Sequence, residues 1–483
     1  MNRKTKQSIY KKDRGSIIIF LKIMNQETTL EILKMGYNVF LTGPAGSGKT
    51  YVLNRYIDYL RDKKIPVAIT ASTGIAATHL GGRTIHSWSG LGIKERIDEI
   101  SLKKIFYKRQ LLNSIVKTKV LIIDEISMLC ANQLDAVHQI LQSVRRNEEP
   151  FGGIQTIFCG DFFQLPPVEK VRNPVPFAYS SEIWKRMDLK ICYLSEQHRQ
   201  KDNELMGVLN AIRKGSVTEK TKEILHFHKD KVFPTHIQPV ELFTHNVDVD
   251  GMNNRELSKI PGKAYAYNMR AHGRKKLIEF LRKSCLAPER LILKKGARVM
   301  FVKNNFEEGY VNGTIGKIID FNKETKIPIV RTDRGRDIVA NPASWSIEEE
   351  DEVIARIKQI PLRLAWAITV HKSQGMSLDN AEIDLGKSFE YGMGYVALSR
   401  VRTLEGLSIL GINEMAFRVH EDVQKTDKQF LEQSKIVEKE INQMEKSKKV
   451  RCQKEFLNER KENRNRAPKN SSKKGQYRHW QKN

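Results

Sequence analysis

The sequence predicts an α/β protein built from two parallel-sheet units, each carrying a smaller insertion. Three observations lead there. A full G-x-x-x-x-G-K-T loop, residues 43–50, follows the apolar run NVFLT directly. Strand-type runs then alternate with amphipathic stretches at Val67–Ala71, Val120–Asp124 and 154–161. The same alternation returns in two later pieces, 193–246 and 361–412. Strand, crossover helix and parallel strand in succession mark a sheet covered on both faces.

Taken in order, residues 1–23 are basic and without periodic pattern, and Met24 is expected to be the true start. The first unit spans 24–185. In its phosphate loop Gly43, Gly46 and Gly48 let backbone N–H groups turn inward around a phosphate, Lys49 reaches the outer phosphates, and the Thr50 hydroxyl can ligate Mg²⁺. A helix beginning near Thr50 adds its positive dipole end. ATP or GTP binding follows. Residues 88–115 read as a short, polar, helical insertion. VLIIDEIS (120–127) is a strand ending in paired carboxylates, with Asp124 suited to hold magnesium and Glu125 to orient or deprotonate an attacking water. In GDFFQLPPV (160–168), Asp161 and Gln164 fall where a sheet's carboxyl edge faces its nucleotide, and Gln164 could sense a γ-phosphate or position water.

The second unit is read as 186–260 and 355–420. Between its pieces, 261–354 switches to short β-type runs punctuated by Gly309, Asn312, Gly313 and Gly316, and is expected to form a small β-barrel. Residues 421–483 begin as a polar helix. From residue 446 onward, 14 Lys or Arg stand against 3 acids, a net of +11. With no apolar period, that tail is expected to be disordered and to grip phosphates without sequence preference.

Composition narrows the partner. With 83 basic against 56 acidic residues, the chain carries +27, which suits a protein tracking a polyanion, although a generally Lys-rich surface would look the same. Five scattered cysteines (130, 159, 192, 285, 452) lack C-x-x-C spacing, against a disulfide frame or zinc site and for a reducing interior. No window approaches 18 consecutive apolar residues, so the expectation is a soluble protein of a bacterial or viral cytoplasm, without membrane contact.

Eight motifs in order carry a family resemblance over residues 26–407: TASTGIAA (70–77), GGRTIHSW (81–88), DEISM (124–128), PFGGIQ (150–155), GDFFQLPPV, LSEQHRQ (194–200), AWAITVHKSQGMSLD (365–379) and YVALSRVRTLEGL (395–407). The chain resembles the Pif-type helicases (petite integration frequency), the 5′-to-3′ branch of helicase superfamily one, and is similar to RecD-type helicases. The resemblance implies two RecA-like domains. It also implies an ATP site of Gln26, reading adenine, with Gly43, Pro44, Ala45, Gly46, Ser47, Gly48, Lys49, Thr50, Asp124, Gln164 and Gly375. Arg199 and Arg400 would be arginine fingers from the second unit. Thr73, His86, Asn246, His371, Lys372 and Ser373 would contact DNA, with core or loop-bracing imidazoles as the lesser alternative for His86 and His371. Where the family carries an arginine on the helix between DEISM and PFGGIQ, this chain places Gln139 and Gln142.

The resulting expectation is an ATP- and Mg²⁺-dependent helicase, monomeric on single-stranded and forked DNA. An ATP-driven translocase or remodeller with weak unwinding is the main rival, and a nucleic-acid-binding scaffold with a vestigial ATPase the other.

Overall fold

The computed structural model describes residues 24–462 apart from 93, 168–175, 198, 200–201, 235–236, 238, 246–248, 306 and 350–351. Residues 1–23, with the expectation about Met24 as the start, lie outside the described part, as do 463–483. No helix among the described residues is long and apolar enough to cross a membrane.

The first sheet has six parallel strands: β1 (Val39–Thr42), β2 (Val67–Ala71), β3 (Arg83–Thr84), β4 (Val120–Asp124), β5 (Gln155–Cys159) and β6 (Lys190–Tyr193), in the spatial order β3-β2-β4-β5-β1-β6. β1 and β5 are buried along their whole length, as expected for strands covered on both faces. The helix Lys49–Asp62 starts at the phosphate loop. The insertion expected at 88–115 forms the helices Glu99–Phe106 and Arg109–Lys117.

One boundary moves. The first unit does not end at 185, because β6 pairs with β1 in register Val39↔Lys190 through Thr42↔Tyr193. The strand covers an edge that β1 would otherwise leave open, so the chain leaves this sheet only after Tyr193.

The second sheet is also parallel, with Ala367–Thr369, β7 (Val240–Phe243), Ala381–Leu385 and Leu407–Ile412 side by side in that order. The inserted β-rich segment forms three antiparallel sheets rather than one barrel among the described residues. The largest has five strands, Asp337–Val339, Pro328–Thr332, Ile315–Phe321, Arg298–Phe301 and Leu362–Leu364. Its core gathers Leu293, Val299, Phe301, Ile318, Val330 and Leu362. Since Glu352–Gln359 and Leu362–Leu364 pair within this insertion, it reaches past 354, and the second unit resumes near Ala365.

The C-terminus departs most from expectation. The helix Glu421–Gln443 lies along β6, where the Tyr193 N–H donates to Ser434 Oγ at 3.0 Å. A second helix, Lys446–Glu462, follows where disorder was expected. Phe456, 4% exposed, packs in the core of the first unit with Leu33, Val437 and Ile441. Its ring fits because Gly36, at φ 88°, has no side chain, and a Cβ there would lie 2.6 Å from the ring. Lys449 pairs with Glu31 at 3.1 Å. Phe456, with Cys452 and Leu457 packed beside it, docks a helix whose charge alone reads as solvated.

Phe456→Ala should therefore lower unfolding free energy by about 3 kcal/mol, the usual cost of emptying an aromatic core site. Val450→Ala, at an exposed position of the same helix, should stay within about 0.5 kcal/mol. Urea unfolding of the two variants checks both.

Candidate nucleotide and nucleic-acid site

The phosphate loop is held by geometry that only glycine permits at its first position. Gly43 has φ 140°, and a Cβ there would fall 2.2 Å from the Leu194 carbonyl oxygen. Gly48, left-handed at φ 89°, turns the chain into the helix Lys49–Asp62. The Lys49 ammonium donates to the carbonyls of Gly43 at 2.8 Å and Pro44 at 3.0 Å, so it lies folded along the loop it serves. Burial holds its pKa below the usual lysine value. Gln26, at the start of the helix Gln26–Lys34, reaches the Ser47 carbonyl at 3.4 Å.

Across the loop lies a cavity of about 330 Å³ lined by Ala45, Gly46, Gly48, Lys49, Thr50, Glu125, Gln164, Arg199, Gly375, Ser377, Arg400 and Arg402. Both sheets contribute. Ten of the expected site residues meet in this lining, while Ser377 and Arg402 are additions. Arg402 sits two residues beyond the motif arginine Arg400, and only its ion pair with Asp379 at 3.1 Å shows how it is aimed. Arg400 is 1% exposed, its guanidinium donating to Val396 O, Ser373 O and Ser399 Oγ. Arg199 reaches Ser399 O at 3.4 Å. Burial first, then the neighbouring charges of Arg400 and Arg402, push the Arg199 pKa down to about 9.

The acidic side is strained. Glu125 takes φ 50° and ψ 47°, a left-handed conformation costly for a non-glycine residue, and the Ser72 hydroxyl holds it there by donating to the Glu125 carbonyl at 2.6 Å. Burial, and then the Asp124 charge, raise the Glu125 pKa; burial also raises that of Asp124. Buried polar atoms without a partner, Ser47 Oγ, Glu125 Oε2 and Gln164 Oε1, sit around the loop. Such orphans, with Thr50 and Asp124 beside them, suit a nucleotide with a divalent cation.

The expected DNA contacts are less uniform. Thr73 opens the helix Gly74–His79, its hydroxyl accepting from Ala76 N at 3.3 Å. His86 lies half-buried on the helix Ile85–Ser89. His371 stands 3.5 Å from Glu390. Lys372 is partly buried, with its pKa lowered by that burial. Ser373 differs: fully buried, it donates its hydroxyl to Val370 O at 2.7 Å and lends its carbonyl to Arg400, so its side chain braces the loop. Asn246 lies outside the described residues. Its neighbour His245 is exposed and packs on Phe389, 4.9 Å between ring centres.

The helix Ala131–Arg145, which carries Gln139 and Gln142, ends in an arginine. Arg145 donates to the carbonyls of Ile115, Val116, Thr118 and Gly152, tying the end of the helix Arg109–Lys117 to the loop before β5.

Comparisons with known proteins agree with this geometry. Residues 19–223 match the PIF1-like helicase family model, and residues 276–321 match the 2B domain of DNA helicase Pif1. The ATP-dependent DNA helicase Pif1 of Psychrobacter sp. is 46% identical over 469 residues, covering 84% of this chain and 71% of the relative. The crystal structure of Bacteroides sp. Pif1 in complex with ADP-AlF4 is similar with a TM-score of 0.72 at 31% identity, over 87% of this chain and 99% of that one. The Bacteroides helicase with ADP-AlF3 and single-stranded DNA gives a TM-score of 0.57 at 30% identity, over 86% and 98%. With two parallel sheets closing on one phosphate loop, and a relative of that identity and coverage, the chain belongs to the PIF1-like helicase family.

Proposed function

We propose that this chain is an ATP-dependent DNA helicase that translocates 5′ to 3′ on single-stranded DNA, driven by ATP bound between its two RecA-like units. The cavity between the sheets carries the reading, because Lys49, Arg199 and Arg400 converge there from both units on the place where a triphosphate would lie. Similarity to proteins named ATP-dependent DNA helicases, and to one solved with single-stranded DNA, supports the substrate.

The residues divide the work by position. Lys49 leaves the carbonyls of Gly43 and Pro44 for the outer phosphates. Thr50 and Asp124 hold Mg²⁺, which neutralises phosphate charge when bound. Glu125 orients and deprotonates the attacking water, and Gln164 positions it. Arg199 and Arg400 reach across as the cleft closes, stabilising charge on the transferred group. Thr73, His86, Asn246, His371 and Lys372 hold the strand by phosphate and sugar, as a motor indifferent to sequence requires.

Lys49→Ala should abolish turnover yet leave DNA binding at low salt, since phosphate contacts supply non-specific affinity; filter binding beside an ATPase assay separates the two. Arg199→Ala should lower kcat by about 10³-fold or more, with bound ATP still detectable by equilibrium titration. The deciding experiment measures hydrolysis with and without single-stranded DNA, and displacement from forks bearing only a 5′ or only a 3′ tail. DNA-stimulated hydrolysis with displacement from the 5′-tailed fork alone is expected. Displacement from the 3′-tailed fork would overturn the direction, and stimulated hydrolysis without displacement would favour a translocase.

A further inference from the structure

Behind the phosphate loop, a buried polar cluster joins the two units. Arg213, 6% exposed on the helix Asn203–Lys214, grips both Asp161 carboxylate oxygens at 2.8 Å. The same guanidinium donates to the Tyr395 hydroxyl at 3.0 Å and, on its other arm, to the Tyr193 hydroxyl at 2.9 Å, and lies over the Phe163 ring. Tyr395, 1% exposed, donates to Asp161 Oδ2 at 3.1 Å and accepts the N–H of Ala45, in the phosphate loop, at 3.0 Å. One hydroxyl thus uses its proton and both lone pairs. Asp427, from the helix on β6, accepts from Tyr193 at 3.1 Å and closes the cluster.

Burying such charges costs desolvation that a hydrophobic cluster would avoid, so their use is better sought in placement than in stability. What they place is specific. Ala45 lies at the front of the phosphate loop, whereas Tyr395 lies on the helix Met393–Leu398, which runs into Ser399 and Arg400. Tyr395 is therefore a strut between the loop that holds the phosphates and the short segment that delivers an arginine to them. Arg213 and Asp161 fix the strut's far side. None of Tyr395, Arg213 and Asp161 lines the cavity where the phosphates would lie.

We propose that Tyr395, held by Arg213 and Asp161, is a positioning residue for ATP hydrolysis that acts through Arg400, keeping that arginine in register with the phosphate loop. This rests on the proposed ATP-driven function. If the unaltered protein shows no DNA-stimulated hydrolysis, that function fails, whereas failure of the present inference requires normal hydrolysis in the unaltered protein.

The test is a double-mutant cycle in the full chain, read as kcat and KM for ATP at saturating single-stranded DNA. Tyr395→Phe keeps the ring and removes the hydroxyl, and Arg400→Lys keeps a charge but loses the guanidinium fork while leaving measurable turnover. Tyr395→Phe should lower kcat by about tenfold, the scale of one hydrogen bond, with KM within about twofold, as when an interaction confined to the transition state is lost. In the Arg400→Lys background the same substitution should have almost no further effect. Independent, multiplicative losses, or a fall in Tm with kcat unchanged, would overturn the proposal. Arg213→Lys, which keeps the charge but not the fork that spans Asp161 and Tyr395 on one arm and Tyr193 on the other, provides the same cycle with Arg400→Lys should Tyr395→Phe not fold. Non-additivity there supports the strut and additivity again overturns it.

Discussion

Clustered positive charge between the two sheets governs the rest of this structure. Lys49, Arg199, Arg400 and Arg402 line one cavity, and among the described lining residues Glu125 is the carboxylate that faces them. Burial first, and then the neighbouring charges of Arg400 and Arg402, lower the Arg199 pKa. An anion entering from solvent reverses the balance, because each cation then gains a partner in a low-dielectric setting. A differential interaction of that kind is what a ligand needs to shift an equilibrium between two shapes.

That shift is useful only if the machinery on each side moves as a unit. Gly43 packs directly on the Leu194 carbonyl, so the phosphate loop is wedged against the segment that leads to Arg199. On the other flank, Ser72 holds the strained Glu125 backbone through one hydrogen bond. Ser72 immediately precedes Thr73, proposed above as a DNA contact, so a strand bound at Thr73 would press one peptide bond from the hydrogen bond that sets the angle of Glu125. Strain that persists because its surroundings impose it can be released or reinforced from outside.

Much of this was legible in the sequence wherever a motif combines a strand with a required backbone shape. The phosphate loop, β4 with its acidic pair, and the loop bearing Asp161 and Gln164 are of that kind. Pairing partners were not legible. Nothing in KICY tells whether β6 joins the first sheet or the second, because a short strand reads the same in either. Asp161 was visible as a motif residue, but its partner Arg213 lies 52 residues on in an ordinary amphipathic helix. Ser373 read as a DNA contact through the family resemblance, while its full burial depends on packing that only the fold supplies. In the last helix, the charge of a 38-residue window hid the apolar side chains that dock it.

The C-terminal helices make the first unit discontinuous, assembled from residues up to Tyr193 and again from Glu421 onward. Val437, Ile441 and Phe456 complete a core begun by Leu33, Leu41 and Leu60. The helix on β6 also screens an edge strand that would otherwise offer unpaired N–H groups to another chain. The chain therefore crosses between units twice, after Tyr193 and before Glu421, and both crossings lie beside β6. Arg213 comes from the second unit yet is held by Tyr193 and approached by Asp427, residues that border those same crossings. Two chain crossings and one buried charge cluster on a single side leave little freedom to slide or separate there.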